Sequence, residues 1–442
     1  MLADELGQFV ARTRYDDLPQ EIVGAAKTRV LDLLAAALVG FRLGIYRPLF
    51  EILGGTGDAT VWGEGRKIPL RDAVLLNSFM AHSTYLEDGS RFTGGHPSSV
   101  VVPAAITLGE TMHSAGKDVI QAIVVGYDIF IRLGKAIYPS TVVRGFQSTA
   151  VLGALASAAA CASLMKLDER SCKDALAIAC NLGVGLKDAL KASASQPIQV
   201  GRSCEGGLLS ALFARKGAQG SETIFENGFL KGFADHPRAG EILLDLGKPF
   251  LIKETYLNIH GGCRGNHAPT DVILSLMKKH AIAAQDIARI DVKADSVTMA
   301  AEIHEPKDGK QSQFSIPFSI AVAVLEGNAS IFQFTDEKVA DPKVRSMMKK
   351  IGVEVDTSLD KDYPDKRGAY GEVVLKDGRR FSGSIDNARG EPEDPFGPEE
   401  IEEKFAILTK AILGHKTESV LRKVRKLEEM SDVGELVQEL RP

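Results

Sequence analysis

The chain has 442 residues, enough for two or three domains, and its 25% charged and 44% hydrophobic residues fit a globular protein with a large buried core. Its formal net charge is −5 at pH 7, and no basic cluster is interleaved with aromatics, so nucleic acid is excluded as the expected partner. Five cysteines (Cys161, Cys172, Cys180, Cys204, Cys263) sit mostly among Ala, Leu and Ile. This reads as reduced, filler-type thiols in an intracellular, cytoplasmic setting.

The first ten residues are acidic and amphipathic, unlike a secretory signal. From residue 2 to about 247, apolar residues recur at three-to-four spacing over 22–39, 71–82, 119–135, 149–165, 169–182 and 204–215. This periodicity, broken by glycines at 54–55, 94–95, 217 and 220, predicts an all-α domain with almost no strand. The run 151–165 is apolar but short and rich in Ala, Ser and Cys, which predicts a helix packed on all sides and no membrane partner.

After Leu251 the pattern changes. Residues 287–294 alternate as a strand, and Lys376-Asp377-Gly378 reads as the turn of a hairpin within 371–385. Helical stretches are expected at 269–279, 316–325 and 342–350, and 395–440 returns to a helical pattern with heavy Glu/Lys alternation. The predicted fold is therefore mainly α: a large all-α helical domain made of 1–255 with 396–442, plus a smaller α+β domain at 256–395.

Three segments carry chemistry. Residues 85–98 pack acids, an imidazole, hydroxyls, an arginine and glycines between two buried helices. His96, followed by proline, is disposed to act as general acid or base, with Asp88 and Glu87 near enough in sequence to orient it. A helix cap with a surface loop would account for the same residues. The second segment, 253–271, gathers Lys253, Tyr256, His260, Cys263, Arg264, His267 and Asp271. Arg264 suits a bidentate grip on a carboxylate, and Tyr256 or Lys253 could move a proton if its pKa were lowered. A buried tyrosine and a solvated lysine are the plainer alternatives. The third segment places Arg144 and Gln147 just before the apolar helix, either as an anion site or as a surface arginine beside an N-cap at Ser148 or Thr149. Cys263 and His267 lack the further ligands a zinc site needs, and no GxGxxG or Walker-type loop appears, so neither a metal nor a nucleotide cofactor is expected.

Taken in order, His82, Glu87-Asp88 and His96-Pro97-Ser98, then Arg144-Gly145-Phe146 with Thr149, then Gly206-Gly207 to Gly217, then Lys253, Tyr256, Cys263, His267 and Asp271, then Gln313 to Gly327, resemble the MmgE/PrpD family end to end. The family includes 2-methylcitrate dehydratases, cis-aconitate decarboxylases and iminodisuccinate epimerases. The resemblance implies a helical domain built from both chain ends, a smaller lid, a homodimer, no organic cofactor, and proton abstraction beside a carboxylate of a small di- or tricarboxylate. Lyase members usually carry Asp where this chain has Tyr85, Thr where it has Gly89, His where it has Gln147 and Lys where it has Gln196. Dehydration needs an acid for its leaving group, whereas epimerisation needs only removal and return of a proton. The expectation is therefore an iminodisuccinate-epimerase-like isomerase, with a lyase whose acid has migrated to Tyr85, or an inactive carboxylate-binding dimer, as alternatives. Expected roles are His96 with Tyr256 or Lys253 as bases, Asp88 tuning His96, and Arg264 and Arg144 gripping carboxylates. Gln147, Gln196 and His267 are expected to contact substrate, and Lys187 and Lys191 to supply replacement charge.

Overall fold

The computed structural model describes residues 1–192 and 194–441, with the side chain of Lys191 outside that description. The chain divides into two units, Met1–Tyr256 with Gly397–Pro442 and Leu257–Phe396.

The larger unit is helical. Its first ten helices are α1 (Leu2–Arg12), α2 (Gln20–Leu43), α3 (Arg47–Ile52), α4 (Leu70–His82), α5 (Ser98–Met112), α6 (Gly116–Ile137), α7 (Ser140–Val143), α8 (Ser148–Leu164), α9 (Glu169–Ala179) and α10 (Ser195–Arg215). Every residue of α8 is buried, as its uniformly apolar, small-residue sequence predicts. It packs against α5, α6, α9 and α10, and α10 packs in turn on α4. The central stretch of α2, from Val30 to Gly40, is likewise buried throughout. The C-terminal helix Pro398–Leu413 lies against α2, so both chain ends build this unit. Two strands interrupt it, β1 (Ala59–Thr60) and β2 (Lys67–Ile68), paired antiparallel. At two residues each they are too short to produce an alternating pattern.

The smaller unit carries a four-stranded sheet ordered β4-β3-β5-β6, with β3 (Ile287–Ala294), β4 (Ile351–Val355), β5 (Ala369–Leu375) and β6 (Arg380–Ile385). β5 and β6 form the predicted hairpin, where Gly378 takes φ +89° between Leu375 and Arg379. β3 pairs antiparallel with β5 and parallel with β4. β4 corrects the sequence reading, which ended a helix at residue 350 and saw no strand beyond it. The helix Pro342–Met348 stops first, and a short edge strand follows. The helix His267–His280 covers β5 and β6.

Among the described residues no helix is long and apolar enough to cross a membrane. Cys161, Cys172 and Cys204 are buried, and burial pushes the Cys172 and Cys204 thiols up to about 12 and Cys161 well above its usual value. They are apolar filler rather than nucleophiles.

The C-terminal segment docks where α6 begins: Gly116 N donates to Met430 O at 2.9 Å, and Val433 N donates to Ser114 O. A Cβ on Gly116 would stand 1.6 Å from Leu427 O, with backbone on both sides and no room to yield. Gly116→Ala is therefore expected to lower stability by about 1–3 kcal/mol, as overpacking does. The readout is a lower urea midpoint at unchanged m-value.

Candidate functional site

The site in the larger unit is assembled around the loop between α4 and α5. α4 ends at His82 and α5 begins at Ser98, so the residues between them must turn back toward the helix ends. Tyr85 makes the reversal with φ +55°, a left-handed conformation that costs a residue with a Cβ roughly 1–2 kcal/mol. A buried non-glycine residue in that conformation is held there by its surroundings, and such strain concentrates at functional sites.

The reversal brings two imidazoles around one carboxylate. His82 and Glu87 have no exposed surface, and His82 Nδ1–H donates to Glu87 Oε1 at 2.7 Å. Ser99 Oγ donates to the same oxygen at 3.1 Å, and His96 Nδ1 lies 3.7 Å from it. Burial alone would raise the Glu87 pKa, but the hydrogen bond from His82 and the electrostatic influence of the His82 and His96 imidazoles more than offset it and hold the group below its ordinary value. On its other side, His82 Nε2 accepts from Gln196 Nε2 at 3.0 Å. That pair fixes the neutral tautomer of His82, protonated on Nδ1.

His96 is partly exposed, with its backbone N–H donating to Thr149 Oγ1 at 3.0 Å. Its Nδ1–H donates to the backbone carbonyl of Asp88 at 2.8 Å, so its lone pair resides on Nε2. The three rings cluster: His82 to His96 is 5.3 Å between centroids, His82 to Tyr85 is 5.7 Å, and Tyr85 to His96 is 6.4 Å.

Asp88 corrects the sequence reading, which gave its carboxylate the task of tuning His96. Only the Asp88 carbonyl reaches that ring. The carboxylate points the other way, accepting from Tyr127 Oη at 2.8 Å and from Ser98 N at 3.1 Å, and Glu87 takes the position beside the imidazoles. Burial and the Asp88 charge hold the Tyr127 phenol well above its usual pKa, so it stays a donor.

Tyr256 joins this unit through backbone. Gly89 N donates to Tyr256 O at 3.1 Å and Tyr256 N to Gly89 O at 2.8 Å, an isolated antiparallel bridge. The phenol lies directly over Gly89, where a Cβ would meet Tyr256 Oη at 2.3 Å. Absence of a side chain at 89 is thus a condition for this placement of the tyrosine. Lys253, by contrast, is half exposed and ion-paired with Glu21 at 2.9 Å, the solvated alternative.

Gln147 is the N-cap of α8, its side chain accepting from Ala150 N at 2.6 Å; the cap is not Ser148 or Thr149. Backbone pairing sets the Arg144–Gln147 segment against the Lys187 segment: Gln147 N donates to Gly185 O and Lys187 N to Gly145 O. Arg144 and Lys187 are both exposed, and Arg144 lies 3.9 Å from Asp235. The side chain of Lys191 lies outside the described residues.

Arg264 and His267 belong to the smaller unit. The Arg264 guanidinium is buried and bound to its own chain, with Nε and Nη2 donating to Glu391 Oε1 at 3.1 and 3.0 Å. Nη2 also donates to the carbonyls of Ala388 and Arg389, and Nη1 to His267 Nδ1 at 3.1 Å. A grip on a substrate carboxylate would require displacing Glu391. Beside it, His260 Nε2 pairs with Asp271 Oδ1 at 2.7 Å, with the His260 and His267 rings 5.2 Å apart. Sequence reasoning gave no role to His82, His260 or Glu391, and named Glu87 only beside Asp88 as a carboxylate that could orient His96. His82 and Glu87 were visible as an i, i+5 pair astride a helix end, but Glu391 stands 127 residues from its partner. No group of three or more His, Cys, Asp or Glu suited to a metal ion occurs among the described residues.

The MmgE/PrpD N-terminal domain matches residues 4–241 and the MmgE/PrpD C-terminal domain residues 260–429. Among curated proteins the chain is similar to cis-aconitate decarboxylase of Aspergillus terreus, 25% identical with 99% of this chain and 95% of that protein covered. It is also similar to cis-aconitate decarboxylase of Homo sapiens, 25% identical with 94% and 89% covered, and to that of Mus musculus, 24% identical with 97% and 91% covered.

Two outcomes check this geometry. Gly89→Ala should destabilise the protein by about 1–3 kcal/mol, and most of that cost should vanish in a Tyr256→Ala background. A coupling under about 0.5 kcal/mol in the double-mutant cycle would contradict the packing of the phenol on Gly89. The lowered pKa of Glu87 contributes stability that is present above about pH 4.5 and lost as pH falls below it. Glu87→Gln should accordingly flatten the acid limb of the stability–pH curve, measured by urea unfolding at a series of pH values.

Proposed function

Because the chain belongs to the MmgE/PrpD family, we propose that it is a cofactor-independent enzyme that removes a proton from carbon beside a carboxylate of a small di- or tricarboxylate. The observation that carries this reading is His96: its Nδ1–H is tied to the Asp88 carbonyl and lies 3.7 Å from Glu87, which leaves the ring's lone pair on Nε2. In the proposed mechanism Nε2 takes the α-proton. Glu87, ionised despite burial, stabilises the imidazolium that forms, as a buried carboxylate does in other acid–base pairs. Tyr256, packed on Gly89, is the proposed second proton carrier, on the opposite face of the substrate. Arg144 and Lys187, on segments joined by backbone pairing, are the proposed cations for the substrate carboxylates.

Within that chemistry we favour return of the proton over loss of a leaving group, an epimerase acting on a dicarboxylate such as iminodisuccinate. The support is that Gln147 and Gln196 are neutral and already committed, one as a helix cap and one to His82. Neither is available to protonate a departing hydroxide. The second reading, a decarboxylase or dehydratase, is favoured by the curated relatives, which are decarboxylases by name, and would draw on Tyr85 as its acid.

Proton NMR in D₂O with iminodisuccinate stereoisomers, cis-aconitate and 2-methylcitrate separates these readings. Deuterium entering the α-position with loss of optical purity and no vinyl signal is the expected result, and His96→Ala should slow it by about 10²–10⁴-fold. A new olefinic resonance would replace the epimerase with the lyase. Exchange within a few-fold of wild type in both His96→Ala and Tyr256→Phe would sink the two-carrier mechanism.

A further inference from the structure

Beneath the site lies a buried charge cluster that the mechanism does not use. Arg29 and Asp32 are three residues apart on α2, hence on one face of that helix, and both are buried. Arg29 Nη2 donates to the carbonyl of Thr255 at 3.0 Å, and Nε donates to its hydroxyl at 3.1 Å. Asp32 Oδ1 accepts from Lys404 Nζ at 2.5 Å, and the same ammonium donates to the carbonyl of Leu86 at 2.8 Å. Lys404 comes from the C-terminal helix Pro398–Leu413, and its side chain is only 6% exposed.

The two carbonyls held here are not arbitrary. Thr255 precedes Tyr256, and Leu86 precedes Glu87. They flank the two strands of the Gly89–Tyr256 bridge, one carrying the carboxylate between the imidazoles and the other carrying the phenol. One turn of α2, with a lysine from the far end of the chain, therefore grips both strands from below. A buried ion pair contributes little net stability against an apolar replacement of the same shape, so the cluster's value lies in the geometry it imposes. Burial lifts the Asp32 carboxyl to about 6 even though Lys404 pulls it down, with Asp88 raising it further and Arg29 lowering it. The pair is thus desolvated, and its attraction is not screened away as a surface pair would be.

We propose that Lys404, with Arg29 and Asp32, acts as a positioning residue, setting the register of the Glu87 strand against the Tyr256 strand so that the C-terminal helix completes a site otherwise built by residues 82–256. The inference rests on reading that cluster as a proton-transfer site, and it gives a long-range reason why the helix Pro398–Leu413 returns to the first domain. Misplacing reacting groups by 1 Å costs about 10²-fold in rate, so loosening either carbonyl would register in turnover.

The test compares wild type with Lys404→Met, Lys404→Arg and the double variant Asp32→Asn/Lys404→Met, which removes both charges together and carries the test should the single variant fail to fold. Two readouts are taken: imidazole ¹⁵N shifts of His82 and His96 in histidine-labelled protein, assigned through His82→Gln and His96→Gln, and deuterium exchange into the dicarboxylate panel, split into kcat and KM. Folded Lys404→Met or the double variant should show displaced His82 and His96 resonances and a kcat lower by about 10²-fold, with KM changed less and Lys404→Arg restoring part of both. Folded variants with wild-type imidazole shifts and wild-type kcat would overturn the proposal. If wild type exchanges none of the substrates, the functional reading fails instead, and the imidazole shifts alone decide whether Lys404 positions the loop.

Discussion

A carboxylate without water around it persists only where neighbouring groups replace the hydration it has lost, and Glu87 sits under that constraint. His82, Ser99 and His96 meet it, and each comes from a place the fold must hold fixed: the last residue of α4, the first turn of α5, and the loop between them. Meeting it also dictates the backbone. For Glu87 to return beneath the helix end that carries His82, the chain reverses within five residues, and the left-handed Tyr85 is the local consequence. The strain at 85 and the ionised acid at 87 are two faces of one requirement.

Rigid packing keeps the arrangement from relaxing. The loop that bears Glu87, Asp88 and His96 is tied to Tyr127 on α6, to Ser98 at the start of α5 and to Thr149 at the start of α8. Those helices are buried and densely packed, α8 along its whole length, because their small residues permit close approach. Sites carried by packed elements hold their geometry more tightly than sites on free loops. This loop acquires that property by borrowing its anchors from three helices.

The helical unit and the hairpin were legible because their signals are local: three-to-four periodicity over long segments, and Lys376-Asp377-Gly378 between alternating residues. β4 was not, since a five-residue edge strand paired in parallel with β3 is defined by a partner some sixty residues away rather than by its own pattern. The same limit governed the site. The density of functional groups at 85–98 marked the right loop. Yet adjacent acids at 87 and 88 cannot be told apart by composition, because the turn at Tyr85 decides which of them faces the imidazoles. Arg264 looked available because Glu391, which occupies it, lies far along the chain. Lys253 carried the right charge, but it is exposed and paired with Glu21, a partner 232 residues away that its own segment does not announce.

The departures from the usual family pattern then take on a common meaning. Gln196 donates to His82 Nε2 and thereby fixes that ring as a neutral donor toward Glu87. A lysine at that position would add a full positive charge beside the imidazole and compete for the carboxylate that His82 now holds. Gln147 accepts from the first turn of α8, which a protonated histidine at the same point would not do. Gly89 leaves space that the Tyr256 phenol fills. Each replacement removes an ionisable side chain or a hydroxyl from the cluster. The proton-carrying capacity of the larger unit's cluster is thereby concentrated in His82, His96, Glu87 and the two phenols at 85 and 256. In the proposed epimerase reading these groups take a proton from carbon and give one back.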